Sequence, residues 1–345
     1  MIDCGVLYLL YDRIEFGPYY FIFSLPLDAI QLQLRQLFKD MRRSQRDSFV
    51  SGTWVNLKTQ FRSYFLFTSF FQLCAVPASL ETILLYTQFL SRSFKAPQSI
   101  KNYLNGVRFL HILLGHEYAF TGNYMVELLF RGIERNANHV PRRAVPITSA
   151  LLFSLARIVD FSDHMDVVTF SAALLLFFVM ARAGNVFSDD HDRHLGLRRK
   201  DIVFLEGFMT VTFRRTKTIQ FGQRRLCIPV AANSTSICPV SALQLMFSSI
   251  PGRPSDPLFF VPRGEDCLPI RKHSFLSHIR VMLDRAGDSD SSRYSCPSFR
   301  RGGASWAFAN GVPGEMIQIF GDWSSDCYKL YLDISMEKNI HLLLL

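Results

Sequence analysis

The stretch CPSFRRGGA at residues 296–304 is followed by GVP at 311–313, FGDW at 320–323 and YKLY at 328–331. Ser298 belongs to the residue types that cap helix N-termini, so the first motif predicts a helix with Arg300 in its first turn. That helix is expected to end at Asn310 and Gly311, because glycine accepts the left-handed conformation of a C-cap. This stretch therefore predicts a helix that is closed by a glycine turn.

A second helix is predicted after Pro313, and a short third helix after Gly321. The apolar face of the second helix consists of Met316, Ile317, Ile319 and Phe320. Tyr328 and Tyr331 have a spacing that places both on one face of the third helix. Taken alone, the pattern fits equally well a pair of amphipathic core helices with tyrosines at their edge.

A second group of motifs lies upstream of the first. Its members, in chain order, are ARAGNV at 181–186, LRRKDI at 197–202, RRTKT at 214–218 and CPVSAL at 238–243. The apolar run at residues 170–181 predicts a buried helix that leads into the first of these motifs. Residues 209–213 and 226–230 are rich in β-branched and apolar side chains, so they predict two strands that flank the third motif.

In this order, the two groups of motifs resemble those of the tyrosine recombinases, also called phage integrases. The pattern is most similar to recombinases of eukaryotic mobile elements. The resemblance covers about residues 46–335, and its specific motifs lie in the second half of the chain. It implies a mainly α-helical fold with a small β-sheet in the C-terminal domain, within a two-domain architecture that breaks and rejoins DNA.

The resemblance also implies a catalytic set of Arg182, Lys217, Arg300, Trp323 and Tyr331. Cleaving a phosphodiester without a metal requires a nucleophile, neutralisation of charge on the phosphate oxygens and a proton for the leaving oxygen. The two arginines suit the second task, because guanidinium groups hold phosphate oxygens through paired hydrogen bonds. Lys217 would protonate the departing 5′ oxygen, and Tyr331 would form a covalent 3′-phosphotyrosine that stores the bond energy for rejoining. The implied function is recombination and integration of DNA.

Structural alternatives exist for these residues. Arg182 suits the end of a helix, where the macrodipole favours a cation. Lys217 suits a solvated hairpin, and Lys200 is a rival for the lysine role. Tyr328 is a rival nucleophile, although the spacing in the family pattern favours Tyr331.

The chain departs from the family pattern at Pro297 and Asp322. Both positions normally carry a side chain that donates a hydrogen bond, and proline donates none. An ionised aspartate would repel the phosphate unless a cation screens it, and the indole N–H of Trp323 would replace the lost donor. A catalytically impaired DNA-binding protein derived from a mobile-element recombinase is therefore the competing hypothesis. A topoisomerase of the same chemistry is a third.

The composition bounds the partners and the compartment. The chain has 345 residues and a formal net charge of +9, which fits a polyanionic partner. Its seven cysteines form no C-x-x-C pair, which argues against a disulfide framework or a zinc site and favours a reducing compartment. We expect no cofactor and no metal, with the cluster DDHDRH at 189–194 forming a charged loop. The expected location is the nucleus of a eukaryote or otherwise the cytoplasm.

The N-terminal half is predicted to be mostly helical. Residues 1–45 are expected to form a poorly defined extension, whose apolar runs are too short to span a membrane. Residues 46–138 resemble the family's helical, SAM-like core-binding domain. The basic face of one of its helices carries the candidate DNA contacts Lys101, Asn105 and Arg108.

A linker at residues 139–147 is predicted from its two prolines, and it adds Arg142 and Arg143 as candidate phosphate contacts. The catalytic domain is expected at residues 148–335, followed by a tail at 336–345. The resemblance implies double-stranded DNA as the partner, a homo-multimer (tetramer) on that DNA and no membrane association.

Overall fold

A computed structural model describes residues 29–118, 120, 122–137, 139, 143–187, 196–216, 219, 224–264 and 266–332. The chain divides into two compact units, residues 1–142 and 143–345. The division falls inside the segment predicted as a linker. Lys217, Arg142, the cluster at 189–194 and the tail at 336–345 lie outside the described residues.

Helices build the N-terminal unit. They are α1 (Ala29–Asp47), α2 (Ser51–Phe70), α3 (Leu80–Ser93), α4 (Pro97–Leu113) and α5 (Tyr124–Asn136). Helices α3 and α5 begin at side-chain caps, because Ser79 accepts a hydrogen bond from the Thr82 amide and Asn123 accepts one from the Met125 amide. Pro97 occupies the first turn of α4, where a missing N–H costs nothing.

Helix α1 differs from the sequence prediction, which left residues 1–45 without defined structure. Residues 29–47 instead form a continuous helix. The segment contains neither glycine nor proline, and its apolar residues recur at helical spacing, as expected for an amphipathic helix. The expectation for residues 1–45 is therefore wrong for residues 29–45, where the helical spacing of the apolar residues determines the structure.

The core of the N-terminal unit is aromatic. The ring centroids of Tyr64 and Phe67 each lie 5.0 Å from that of Tyr86. The buried Tyr64 hydroxyl donates to the Ala75 carbonyl at 2.9 Å, and the Tyr86 hydroxyl donates to Ser63 Oγ at 3.0 Å. These bonds satisfy the polar ends of rings that are otherwise packed in apolar surroundings.

The C-terminal unit is mainly helical with small antiparallel sheets, which confirms the predicted fold class. Its helices are α6 (Ser149–Ile158), α7 (His164–Phe178), α8 (Ala183–Val186), α9 (Pro239–Ser249), α10 (Lys272–Arg285), α11 (Cys296–Ala309) and α12 (Gly314–Phe320), with 3-10 helices at Arg199–Asp201, Ser291–Arg293 and Asp326–Tyr331. Its strands are β1 (Ile202–Leu205), β2 (Phe208–Phe213), β3 (Leu226–Ala231), β4 (Phe260–Arg263) and β5 (Asp266–Pro269).

Helix α7 lies at the centre of this unit and is buried along almost its whole length. Helices α9, α10 and α11 all pack against it. Such a helix is apolar on every side, which explains why residues 170–181 read as an uninterrupted apolar run. The helix ends at Phe178, and the segment that follows leads to Arg182.

The three-stranded sheet has the order β1-β2-β3, and β2 pairs with both neighbours in antiparallel fashion. Val211 lies opposite Ile202 on one side and Ile228 on the other. Burial alternates along β2 and β3, as expected for strands with one face on the core. Both strands predicted from residues 209–213 and 226–230 are confirmed.

Helix α11 begins one turn earlier than the sequence predicts. Its N-cap is Ser295, whose backbone amide donates to Ser298 Oγ at 2.9 Å, so Ser298 is not the cap. Pro297 fits the first turn because its fixed φ and missing N–H suit that position. Arg300 consequently lies in the second turn. The helix ends at Ala309 and Gly311 has φ of +80°, as predicted.

Two glycines allow α11 to approach the rest of the core. A Cβ atom on Gly303 would collide with the Phe177 carbonyl oxygen, and one on Gly302 would collide with the Ile147 carbonyl oxygen. Only glycine permits such backbone contact. The close approach places Arg300 beside the end of α7.

Candidate active site

Arg300 is held at the end of α7 by a backbone carbonyl. After α7 the chain turns through Met180, which adopts a left-handed φ of +51°. The Met180 carbonyl accepts a hydrogen bond of 2.6 Å from Arg300 Nη1. Left-handed backbone at a residue other than glycine is strained, and such strain concentrates at functional sites.

The Arg300 side chain is 3% exposed and forms a cluster with two aromatic rings. Its guanidinium carbon lies 3.7 Å from the centroid of the Trp323 ring and 5.5 Å from that of the Tyr331 ring. Burial, followed by the nearby charge of Arg182, lowers the pKa of Arg300 from its usual value. The site thus concentrates positive charge in a buried place.

Hydrogen-bond donors in this cluster are left without partners. Arg300 Nε, Arg300 Nη2 and the indole Nε1 of Trp323 are buried and bond to no described residue. Buried donors are almost always paired in folded proteins, so each such exception requires an explanation. These donors would fit a ligand with several acceptor oxygens.

Arg182 lies next to this cluster, directly before α8. Its Nη1 is 3.6 Å from Asp322 Oδ2 and donates to the Asp322 carbonyl at 3.4 Å. The side chain of Arg182 is 28% exposed. The structure therefore brings together Arg182, Arg300 and Trp323, which are far apart in the sequence.

The carboxylate of Asp322, which would otherwise repel a phosphate, is screened by nearby arginines. The carboxylate is 5% exposed, and its Oδ1 accepts a hydrogen bond of 2.8 Å from Arg224 Nη2. Its Oδ2 accepts one of 2.7 Å from Thr216 Oγ1. Together with the nearby Arg182, these contacts neutralise the carboxylate.

Gly321 makes room for Trp323. A Cβ atom at Gly321 would collide with the indole ring, so a larger residue there would displace Trp323 from Arg300. The glycine in the FGDW motif is thus required by close packing.

The two candidate nucleophiles lie on the 3-10 helix Asp326–Tyr331 but have different surroundings. Tyr328 is 8% exposed, and its hydroxyl lies so close to Gly314 that a Cβ there would collide with it. Tyr331 is only partly buried, and its ring centroid lies 5.3 Å from that of Trp323. Tyr331 therefore combines greater exposure with proximity to Arg300.

The candidate lysine is Lys217, whose position the structure does not describe. Its described neighbours in the sequence, Thr216 and Ile219, exchange backbone hydrogen bonds of 3.2 Å in both directions. The rival Lys200 is exposed on the 3-10 helix Arg199–Asp201. Pro297 lies in the first turn of α11.

Solved structures share this fold. The Tn1549 transposon integrase in complex with transposon right end DNA has a TM-score of 0.59 and 12% identity, and the match covers 90% of this chain and 97% of that chain. A lambda integrase dimer bound to a COC′ core site has a TM-score of 0.55 and 13% identity, with 86% and 94% covered. This chain has the tyrosine recombinase fold. The predicted resemblance to tyrosine recombinases is thus confirmed for the fold.

A third structure with the tyrosine recombinase fold is the XerH site-specific recombinase bound to difH substrate, with a TM-score of 0.51 and 14% identity. That match covers 83% of this chain and 78% of that chain. By sequence, the chain matches no family model and no curated protein. The fold is thus recognised through the backbone and not through overall sequence similarity.

The candidate DNA contacts of the N-terminal unit lie on one exposed face of α4. Lys101, Asn105 and Arg108 are all exposed, with the spacing that places them on one side of the helix. Lys101 Nζ donates a hydrogen bond of 2.7 Å to Glu134 Oε1 on α5, which partly neutralises it. In the linker, Arg143 is exposed, and Arg142 lies outside the described residues.

Acidic residues and a histidine cluster at the start of α7. One ligand atom from each of Asp163, Asp166 and His278 lies within 4.8 Å of the others. Asp166 already receives hydrogen bonds of 3.0 and 2.8 Å from Arg285 Nη1, as well as one contact of 2.7 Å with His278 Nε2. The guanidinium serves as the cation for this carboxylate, so the cluster is an ion-pair network.

Thr216 and Arg224 are site residues that the sequence did not reveal. Both lie on the segment that joins β2 to β3, and both contact Asp322. The sequence contained one signal, which was the need for a cation to screen Asp322. Several basic residues lie between the two strands, so that signal does not select Arg224.

Proposed function

We propose that this protein binds double-stranded DNA and breaks and rejoins its strands as a tyrosine recombinase, through a 3′-phosphotyrosine intermediate. The observation that carries the proposal is the set of buried donors on Arg300 and Trp323, beside Tyr331, that have no partner among the described residues. A phosphodiester offers acceptor oxygens with negative charge, which these donors suit. The DNA complexes among the proteins of this fold support the same ligand class.

The reaction assigns one task to each group. The Tyr331 phenol passes its proton to solvent water and attacks the phosphorus, and the bond between phosphorus and the 5′ oxygen breaks. Arg182 and Arg300 neutralise the charge that develops on the non-bridging oxygens. Lys217 donates a proton to the departing 5′ oxygen. Attack of a 5′ hydroxyl on the phosphotyrosine reverses these steps and rejoins the strand without ATP.

Access to the donors requires a local movement. Arg300 is 3% exposed, and the rings of Trp323 and Tyr331 lie over its guanidinium. Tyr331 belongs to a 3-10 helix, a short element with poorer hydrogen-bond geometry than an α-helix. We propose that DNA binding shifts this element, so that a phosphate reaches the arginines and the phenol together.

The proposal includes assembly and location. The lambda integrase structure is a dimer on DNA, and we propose that this chain acts as a homo-multimer, a tetramer on paired sites. None of the described helices is long and apolar enough to cross a membrane. The proposed location is the nucleus of a eukaryotic cell or otherwise the cytoplasm, without membrane association.

The test uses a pool of nicked duplexes whose sequence around the nick is randomised. Cleavage near the nick releases a short strand that diffuses away, so the strand cannot be rejoined and the covalent adduct accumulates. Wild-type protein is expected to form a covalent adduct that resists denaturation in detergent. Tyr331→Phe is expected to form none. The matched control Tyr328→Phe, which removes the same hydroxyl from the buried rival, is expected to retain the adduct.

A second candidate function is DNA binding without cleavage. It is favoured by Pro297, which supplies no side-chain donor. It is also favoured by Asp322, because its carboxylate lies 3.6 Å from Arg182 and competes with a phosphate for that guanidinium. In that case the wild type and both tyrosine variants would bind the duplex pool equally, and none would form an adduct. Relaxation of supercoiled plasmid without site preference would instead indicate a topoisomerase.

A further inference from the structure

Two described residues after β2, Thr216 and Ile219, are buried although they lie between the strands of a hairpin. Thr216 is 5% exposed, and Ile219 is fully buried. Thr216 Oγ1 accepts a hydrogen bond of 3.1 Å from the Ile219 amide, in addition to the paired backbone bonds between these residues. A hairpin end of this kind is usually solvated and mobile.

The anchor for this segment is Asp322. Thr216 Oγ1 donates to Asp322 Oδ2 at 2.7 Å, and Arg224 Nη2, at the other end of the segment, donates to Oδ1 at 2.8 Å. Hydrogen bonds to an ionised acceptor are about twice as strong as neutral ones. One buried carboxylate therefore joins both sides of the β2–β3 segment to the loop between Gly321 and Trp323.

The backbone at Asp322 supports this function. Its φ is +53°, a left-handed conformation that aspartate and asparagine tolerate better than other residues with a Cβ. The Asp322 carboxylate bonds to Thr216 and Arg224, whereas the ring of the next residue, Trp323, contacts Arg300. The two adjacent residues thus have separate tasks.

We propose that Asp322 is a positioning residue that fastens the β2–β3 segment to the arginine site through Thr216 and Arg224. Its catalytic consequence rests on the proposed function, because Lys217 follows Thr216 directly in the sequence. Asp322 also holds Arg182 through the 3.6 Å contact with its carboxylate. Asp322 is not a catalytic residue, since it acts through the groups that it holds.

Limited trypsin digestion tests the anchor without DNA. The segment contains the trypsin sites Arg214, Arg215, Lys217, Arg224 and Arg225. Thr216→Val removes the hydroxyl that donates to Asp322 while keeping the side-chain shape. Cleavage within the segment is expected to accelerate about tenfold, because loss of a hydrogen bond to a charged group favours local opening.

Two controls make this result specific. Thr212→Val makes the same change on β2, where the one hydrogen-bond partner of the Thr212 hydroxyl among the described residues is Cys227 Sγ at 3.8 Å, and it is expected to digest like the wild type. Asp322→Asn keeps the shape and the tolerated φ but removes the charge, and it is expected to accelerate cleavage within the segment. Cleavage at Arg263, in the separate β4–β5 hairpin, is expected to stay unchanged in every variant.

The proposal is overturned if Thr216→Val and Asp322→Asn digest at the wild-type rate. It is also overturned if they accelerate cleavage equally at Arg263, since that result indicates general destabilisation. Both outcomes are independent of whether the protein cleaves DNA. The digestion therefore separates a failure of this inference from a failure of the proposed function.

A second readout tests the catalytic consequence. In a duplex with sulfur in place of the bridging 5′ oxygen, the leaving thiolate needs no proton, because thiols are much more acidic than alcohols. Thr216→Val is expected to slow adduct formation on the oxygen substrate at unchanged DNA affinity, and to match the wild type on the sulfur substrate. If Thr216→Val slows adduct formation equally on both substrates, the link between Asp322 and proton transfer is overturned. If the wild-type protein forms no adduct on either substrate, only the proposed function is overturned.

Discussion

The two units of this protein bury different kinds of side chain. Among the described residues, the N-terminal unit buries apolar and aromatic groups together with threonines and one histidine, and none of its charged side chains is buried. The C-terminal unit buries charged side chains as well, namely Asp166, Arg199, Asp201, Arg300 and Asp322. Buried charges lower stability unless they are well paired, so the second unit carries a cost that the first does not.

The buried charges of the C-terminal unit differ in how many of their polar atoms have hydrogen-bond partners. Asp166 accepts hydrogen bonds from Arg285, Arg199 donates to the carbonyls of Ile250 and Phe247, and neither has a buried side-chain atom left without a hydrogen bond. Arg300 donates to the Met180 carbonyl, but its Nε and Nη2 find no acceptor in the described part of the chain. A buried charge with missing partners is therefore the better indicator of a ligand site, and the comparison between units can be tested at matched positions.

The largest expected effect comes from a pair of helical glycines. In Gly303→Ala the new methyl group meets the Phe177 carbonyl, and we expect the C-terminal unit to lose about 3 kcal/mol or more of unfolding free energy. Gly132→Ala in α5 of the other unit meets nothing within 4 Å and is expected to gain about 0.5–1 kcal/mol. Urea denaturation followed by circular dichroism measures both, and equal effects would contradict the described packing of α11.

The next effect compares two ion pairs. Asp166→Asn leaves Arg285 and His278 without their fully buried carboxylate and is expected to cost about 3 kcal/mol. Glu134→Gln removes the exposed partner of Lys101 and is expected to change stability by less than about 0.5 kcal/mol. Thermal denaturation of the two variants checks the ranking, and a reversed order would show that the network at α7 contributes little.

The stabilising effect of the Asp166 carboxylate should also depend on pH. Burial alone raises the pKa of Asp166, but hydrogen bonds from the Asp160 amide, His278 and Arg285 outweigh burial and lower it below its usual value. The ionised carboxylate therefore stabilises the folded state above about pH 4, and this contribution is lost as the pH falls through the lower folded-state pKa. The stability difference between wild type and Asp166→Asn should shrink below about pH 4. A difference that is constant down to pH 2 would contradict this.

Much of the site could be predicted because its residues lie in local motifs. The helix with Arg300, the turn at Gly311 and the element with Tyr331 follow from spacing and from glycine and proline positions. The partners of Asp322 could not be predicted, because Arg224 and Arg182 lie 98 and 140 residues away in the chain. The sequence gives no measure of such long-range proximity without the fold.

Rules for helix starts do not give a single answer where neighbouring residues favour different boundaries. Both Ser295 and Ser298 are suitable caps, and the position of Pro297 decides between them. The helix at 29–47 was missed because the preceding apolar segments suggested an extension without structure. In both cases the neighbouring residues determine where the helix begins.

The smallest expected effect concerns the exposed face of α4. Arg108→Gln should reduce the slope of log affinity for duplex DNA against log salt concentration by about 1, if this side chain neutralises a phosphate. Lys101→Gln should reduce it less, because Lys101 is already bonded to Glu134. Fluorescence anisotropy at several salt concentrations measures both slopes, and unchanged slopes would remove this face from the DNA interface.

We propose that Tyr331, beside Arg300, attacks the DNA. Trypsin cleaves after Lys329 and so separates a peptide with Tyr328 from the peptide LYLDISMEK, residues 330–338, with Tyr331. After nuclease treatment of the wild-type adduct, mass spectrometry is predicted to find the nucleotide on the second peptide. A nucleotide on the peptide with Tyr328, or DNA binding without any modified peptide, would contradict the account.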